Sequence, residues 1–306
     1  MKYYSLLAVC AAALGQSTAT TFTSGETPIT TVSTDHTQTV LTRSINGGEI
    51  PLETTETRLL SKSEDGSVTE VIVRRYDRNG QLASTERTVT EVRNRPGGST
   101  SKSITYATDI NGVLRETERK TIDTEQQGGA ARTETVIERP AIDGGFQAVE
   151  KRSAVIENRP DSTHQDETVY RRSGNGGFNV ALRKIADTTR KGNTTTETTD
   201  LYEPIGEADR LQLSRQQVAT TVAEPDGSET RQIDYYLPAL PGAARTTGES
   251  QKLWEQDTIQ RKKQADGGFV ETVTARRADP NHPNQLGPAQ QVSETVCRGN
   301  CSSPAQ

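Results

Sequence analysis

The amino-acid sequence predicts an all-β fold in which tandem antiparallel β-hairpin repeats of about 32 residues form an extended meander sheet. Three observations predict it. Turn-forming glycines recur at a fixed spacing, strand-forming residues fill the intervals, and hydrophobic positions recur in phase with the turns. A fixed period of this length is the signature of a repeat architecture, in which each unit is stabilised by its neighbours.

The turns form two interleaved series. In the first, a glycine recurs every 32 residues, usually after Asn or Asp; the pair favours a hairpin turn whose two central residues have positive φ. The series comprises Gly48, Gly80, Gly112, Gly144 and Gly176. The second series lies about midway between these glycines, from Asp65-Gly66 to Asp226-Gly227. Each unit therefore contains two turns and two strands of about 10–13 residues, longer than the usual strand.

Two columns of side chains repeat in phase with the turns. The second residue after each glycine of the first series is hydrophobic, which gives the apolar row Ile50, Leu82, Leu114, Phe146 and Phe178. The seventh is basic in four units, at Arg87, Arg119, Lys151 and Arg183. Equivalent residues of neighbouring hairpins stand two strand spacings apart, roughly 9.5 Å. Each column should therefore form a row across the sheet.

The period weakens toward the C-terminus, where residues 237–244 include two prolines, and a turn returns at 266–269. We predict about seven or eight hairpins and four segments. These are a signal peptide at 1–19, a flexible Thr-rich leader at 20–34, a β-hairpin repeat domain at 35–277, and a Pro-rich tail with a small Cys loop at 278–306.

The N-terminal residues are typical of a secretory signal peptide. Lys2 precedes an apolar run that ends at Leu14, and small residues lead to a cleavage site near Ala19. The alternative is lipidation at Cys10. The run is too short for a transmembrane helix, and no later segment reaches the required ~20 apolar residues. We therefore expect a secreted, periplasmic or cell-surface protein without a transmembrane segment.

Two cysteines, Cys297 and Cys301, remain after cleavage. In an exported chain, such a close pair predicts a local disulfide. A redox pair and half of a metal site are the alternatives, and no neighbouring histidine supports either.

Composition excludes several classes of protein. The chain has 36 basic and 41 acidic residues, interspersed to a net charge of −5, so no basic surface favours nucleic acid. An outer-membrane barrel requires an outward apolar band and aromatic girdles, and only 4% of the residues are aromatic. A β-propeller requires four strands per blade and a longer repeat.

One turn resembles a known family. The segment Tyr76-Asp77-Arg78-Asn79-Gly80-Gln81-Leu82 resembles the core of a YD (RHS-type) repeat, whose units form long β-hairpin sheets in exported proteins. The resemblance implies a hairpin array. It covers this one turn, since the equivalent turn at Asp109 keeps the aspartate without the tyrosine.

No catalytic constellation, metal-binding pair of histidines or cofactor motif is present, so we predict no cofactor and no enzymatic activity. We expect a non-catalytic structural or interaction protein whose polar faces and sheet edges bind a protein or a glycan. The first alternative is a carbohydrate-binding protein that stacks sugars on Trp254, Tyr235 and Tyr236. A polysaccharide hydrolase with paired carboxylates is the second. The sequence leaves open whether the sheet is flat, coiled or closed.

Overall fold

The computed structural model is all-β throughout the residues that it describes. Those residues are 18–24, 27–33, 36–43, 48–206, 210–237, 251–265, 268–279, 282 and 285–297. Within these ranges no helix is long and apolar enough to cross a membrane.

The described residues form eighteen strands. Their bounds are β1 (Thr18–Ser24), β2 (Thr27–Ser33), β3 (Thr37–Arg43), β4 (Glu49–Ser63), β5 (Gly66–Tyr76), β6 (Leu82–Arg95), β7 (Gly98–Thr108), β8 (Leu114–Gln127), β9 (Ala130–Pro140), β10 (Phe146–Arg159), β11 (Ser162–Arg172), β12 (Phe178–Lys191), β13 (Thr194–Pro204), β14 (Leu211–Ala223), β15 (Glu229–Leu237), β16 (Lys252–Lys263), β17 (Phe269–Arg277) and β18 (Gln290–Cys297).

Each strand pairs antiparallel with the next along the chain, which confirms the predicted hairpin meander. The first strand has a second partner as well. Thr20 of β1 stands opposite Thr31 of β2 on one side and opposite Cys297 of β18 on the other. The sheet therefore closes on itself as a barrel, the outcome that the sequence left open.

Two segments that were predicted to lie outside the sheet contribute strands to it. The Thr-rich leader contains β2 and most of β1, and the Pro-rich tail contains β18. These strands complete the ring, because β1 joins the start of the meander to its end. The greater part of the predicted signal peptide, residues 1–17, lies outside the described residues.

The turns of the first series differ from the predicted two-residue type. Gly80 donates its N–H to the Asp77 carbonyl at 3.0 Å, and Asp77 donates to the Gln81 carbonyl at 2.8 Å. This is a five-residue loop built on a type I turn, and it needs positive φ only at the glycine. Gly80, Gly112, Gly144 and Gly176 have φ of 77–85°, and no other residue type has positive φ in the described part of the chain.

The two ends of the barrel differ because the two series of turns lie at opposite ends. Five-residue loops define what we call the loop end, at 77–81, 109–113, 141–145 and 173–177. Two-residue turns define the turn end, at 64–65, 96–97, 128–129, 160–161 and 192–193, and a five-residue loop at 224–228 lies at this end as well. The first strand starts and the last strand finishes at the turn end.

A β-bulge recurs near the loop end of the even-numbered strands. The extra residues Thr117, Val149 and Ala181 are 32 apart, and Trp254 occupies the same place in β16. Bulges bend a strand and increase its right-handed twist. A bulge in successive hairpins therefore promotes the curvature that brings β18 to β1.

The effect of replacing a loop glycine by alanine on stability should depend on the backbone conformation of that glycine. Gly112 has φ of 78° and open space around its missing Cβ, so Gly112→Ala should destabilise the fold by about 1–2 kcal/mol through backbone strain. Gly174 lies in an equivalent loop with equally open space and without positive φ. Gly174→Ala is therefore the matched control, with stability unchanged or raised by up to about 1 kcal/mol. Urea unfolding followed by circular dichroism measures both; equal losses would contradict the strained-glycine account.

Candidate functional site

The strands present two faces, which the register defines consistently around the ring. Directly opposed residues share a face, and side chains alternate along each strand. We call one the Ile137 face; it includes Ile137, Val169, Ala186, Ala219, Ile233 and Ala275. The other is the Glu70 face; it includes Glu70, Arg87, Arg119, Lys151, Arg183 and Leu213.

Burial indicates that the Ile137 face lines the interior. Six of the seven buried hydrophobic side chains lie on it, as do the buried Thr135, Thr199 and Ser293. Only Leu213 and Glu70 are buried on the opposite face. Side chains converge on the concave side of a closed sheet, so greater crowding is expected there.

The chirality of the sheet identifies the same face as the inner one. A path that steps from each residue to the residue opposite it on the next strand leads from Thr57 in β4 to Glu118 in β8, and this path moves toward the loop end. Asn94, on the Ile137 face, donates its N–H back to Asp65 at 2.6 Å. The hydrogen bond shows on which side of β6 the preceding strand lies when the sheet is viewed from the Ile137 face, and the shift of opposed residues gives the direction in which the strands tilt. For L-residues and the normal right-handed twist, the two directions agree only if the Ile137 face is inside. We refer to it below as the inner wall.

The inner wall combines hydroxyl and aliphatic side chains with ion pairs. Arg261 lies 2.7 Å from Glu271, Arg139 lies 3.0 Å from Glu118, and Arg231 lies 3.6 Å from Glu197 across the intervening strand. Further inner pairs are Arg75–Glu53, Arg152–Glu150, Arg171–Glu150 and Arg277–Glu255. Because both signs of charge are present, the interior is polar without a single-sign field.

The outer wall, on the Glu70 face, is also charged along the strands. Glu70 is only 6% exposed; it accepts a hydrogen bond from Arg87 Nε at 2.7 Å and lies 3.6 Å from Arg58. Arg183 makes two hydrogen bonds to Asp166, of 3.0 and 2.6 Å. Described residues of this wall therefore form no continuous apolar band.

The basic column and the apolar row of the repeat contact each other on the outer wall. The Arg119 guanidinium lies 4.1 Å from the centre of the Phe146 ring, and the Lys151 ammonium lies 4.6 Å from that of Phe178. The first pair connects β8 to β10, and the second connects β10 to β12. These cation–π contacts connect consecutive hairpins. Both columns are visible in the sequence, but their contact depends on register.

The remaining residues of the apolar row also lie near the loop end. Leu82 and Leu114 begin β6 and β8 at the loop end, while Ile50 is the second residue of β4. Gly48 directly precedes β4. Leu82, Leu114, Phe146 and Phe178 therefore follow the rim of the barrel on the outer side. Ile50, opposite Thr42, falls on the inner wall instead.

The candidate stacking residues do not share one face. Tyr235, opposite Gln217, lies on the inner wall, whereas Tyr236, opposite Gln216, lies on the outer wall. Trp254 is the bulge residue of β16 and is 48% exposed. One surface patch therefore does not contain all three rings. Cys297 ends β18, and its predicted partner Cys301 lies outside the described residues, so the disulfide stays a prediction.

The described residues contain no group of three His, Cys, Asp or Glu side chains that could hold a metal ion. No protein-family model matches the chain. No characterised protein matches it in sequence.

A solved structure, however, resembles the barrel. It is a triple mutant of the Rh. blastica porin, with a TM-score of 0.53 over 92% of this chain and 98% of the porin chain. The two sequences are 8% identical, so the similarity concerns the fold alone. From the sequence, an outer-membrane barrel was rejected because a lipid-facing band was missing; the strands nevertheless close into a barrel whose fold is porin-like.

The function expected from the sequence is also overturned. Structural or interaction roles through strand addition require a free sheet edge, and the pairing of β1 with β18 leaves none. The carbohydrate-binding alternative required a shared stacking platform, which the register does not provide. The fold is that of a porin rather than that of an open binding sheet.

The ion pair at Glu70 should contribute more to stability than its exposed counterparts. Glu70→Gln leaves Arg87 and Arg58 without their shared carboxylate, and we expect a loss of about 1–3 kcal/mol in urea unfolding. Glu91→Gln on the same wall is the control. Its partner Arg93 is 77% exposed, so its loss should stay within about 0.5 kcal/mol. Equal effects would show that burial of Glu70 does not matter.

Proposed function

We propose that this chain is a porin-like barrel that passes small hydrophilic solutes through its interior, in a membrane transport role. The observation that carries the proposal is the closure of eighteen strands around an inner wall of charged and hydroxyl side chains. A conduit of this kind requires no catalytic residue, metal or cofactor.

The strand number supports an open interior. Barrels of about eight strands are filled by their own side chains, whereas porins of about 16–18 strands leave an aqueous channel. A lining of ion pairs and hydroxyl groups keeps water in such a channel. Since the inner pairs balance each other, passage should depend on solute size more than on charge.

The two ends support the proposal as well. Outer-membrane barrels have short turns at one end and longer loops at the other, and the strands from β4 to β13 show the same asymmetry. Together with the predicted signal peptide, this favours the cell envelope or cell surface as the location.

The outer wall differs from that of a lipid-embedded porin. Charged side chains such as Lys102, Arg119 and Asp166 lie along it, and a charge on the lipid face of a barrel costs about 2–4 kcal/mol at the bilayer midplane. We therefore propose that the described wall remains in water and that the barrel acts beside a membrane.

A matched pair of lysines tests the conduit. Lys120 lies on the inner wall of β8, opposite Ile137, and Lys102 lies on the outer wall of β7, opposite the neighbouring Thr121. Each is replaced by cysteine in a chain whose own three cysteines are changed to serine. Maleimides of increasing size, up to polyethylene-glycol conjugates, then measure access to each position.

An open lumen predicts that both cysteines react at similar rates with small hydrophilic maleimides. The largest reagents should react at least about tenfold more slowly with the Lys120→Cys chain, because they must enter the barrel, whereas the rate at Lys102→Cys should stay within about twofold. If the reaction rates at the two positions fell equally with reagent size, the barrel would have no enclosed lumen. Failure of even the smallest reagent at Lys120→Cys would show that the interior is closed to solutes.

A further inference from the structure

We propose that the barrel contacts a lipid surface end-on, through hydrophobic side chains at its loop end. This inference rests on the proposed membrane role and specifies which part of the molecule meets the bilayer.

Fully exposed isoleucines stand at two neighbouring loop tips. Ile110 and Ile142 occupy equivalent positions 32 residues apart, and their relative exposures are 102% and 110%. The same tip position holds Arg78 in the preceding loop and Gly174 in the following one. Each isoleucine therefore projects from its loop without packing against the barrel.

Other exposed aliphatic side chains lie just below the loop tips and form a hydrophobic patch with Ile110 and Ile142. Leu82, Val113 and Leu114 are 41–57% exposed; Val113 and Leu114 belong to the same hairpin as Ile110, and Leu82 belongs to the hairpin before it. Trp254 is also exposed at this end of the barrel, on β16. Tryptophan is enriched where proteins meet the membrane–water interface, since its ring suits a site that is apolar on one side and wet on the other.

The turn end offers no comparable surface. Its two-residue turns are Glu64-Asp65, Pro96-Gly97, Gly128-Gly129, Pro160-Asp161 and Gly192-Asn193, and its five-residue loop is 224–228; none of these segments contains a large aliphatic side chain. The contrast between the ends follows from the sequence of the loops, because strands of the same repeats connect to both.

Asp109, the acidic residue next to Ile110, is held in its loop by hydrogen bonds. Asp109 accepts hydrogen bonds from the backbone N–H groups of Asn111 and Val113 and from Arg115 Nε at 2.7 Å. These donors, the backbone groups first, hold the pKa of Asp109 below its ordinary value. Its charge is thus paired below Ile110.

A bilayer suits these features better than a protein groove. Separate projecting side chains on rigid loops can each enter the boundary between headgroups and acyl chains. The charged outer wall excludes deeper burial, since its ion pairs would have to leave water. End-on contact buries the hydrophobic tips and keeps the wall hydrated.

Flotation with phosphatidylcholine vesicles tests the inference, and the fluorescence of Trp254, the single tryptophan of the chain, reports contact. The full chain should float with the vesicles, its emission should shift to the blue, and added salt should change binding little because the contact is apolar. Ile110→Ser with Ile142→Ser should weaken partitioning about tenfold per isoleucine.

The control is Leu59→Ser with Leu60→Ser, which removes two exposed leucines from β4 toward the turn end and should leave binding within about twofold. Equal losses in the two double variants, or none in either, would overturn end-on contact. Absence of vesicle binding would overturn the end-on contact without affecting the proposed conduit, since the maleimide test of the lumen uses no lipid.

Two further outcomes would also reject the lipid contact. Stepwise conductance across a planar bilayer would show that the wall itself spans lipid, which supports the conduit and overturns end-on docking. Self-association in the absence of lipid, abolished by Ile110→Ser with Ile142→Ser in sedimentation velocity, would identify a second copy as the occupant of the patch.

Discussion

The hydrogen bonds between neighbouring strands are the interaction on which the rest of this structure depends. Only seven hydrophobic side chains are buried among the described residues, and they are spread over six strands rather than gathered into a core. In such a thin wall the backbone ladder must satisfy the polar groups of every strand. Pairing β1 with β18 extends this condition to the ends of the chain, because it removes the two edges that an open sheet would expose.

Side chains add connections that follow the same repeat. On the outer wall, Arg119 and Lys151 reach aromatic rings two strands away, and Arg87 and Arg183 pair with carboxylates of the preceding strand. Individually, exposed pairs of this kind contribute little, while a series of them holds consecutive hairpins in one register. Register matters here since a one-residue slip would exchange the inner and outer walls.

The arrangement of polarity separates this barrel from outer-membrane barrels in general, which carry an outward apolar band. Both walls carry charge, so the enclosed space suits water and hydrophilic solutes, while the outside suits water as well. The hydrophobic side chains that remain exposed are concentrated at the loop end, at Ile110 and Ile142 above all. The proposed transport role and the proposed end-on membrane contact rest on this distribution rather than on sequence identity, which is 8%.

The sequence by itself determined the strands of the regular repeats, their antiparallel order and the places of their turns, because these depend on local residue types recurring every 32 positions, such as Gly80, Gly112 and Gly144. It also revealed the basic and apolar columns without showing that Arg119 would meet Phe146. Only the tertiary structure decided closure, the inner wall and the use of the leader and tail as strands. Those outcomes depend on bulges and twist accumulated over many hairpins, and on a contact between Thr20 and Cys297 that no local pattern encodes.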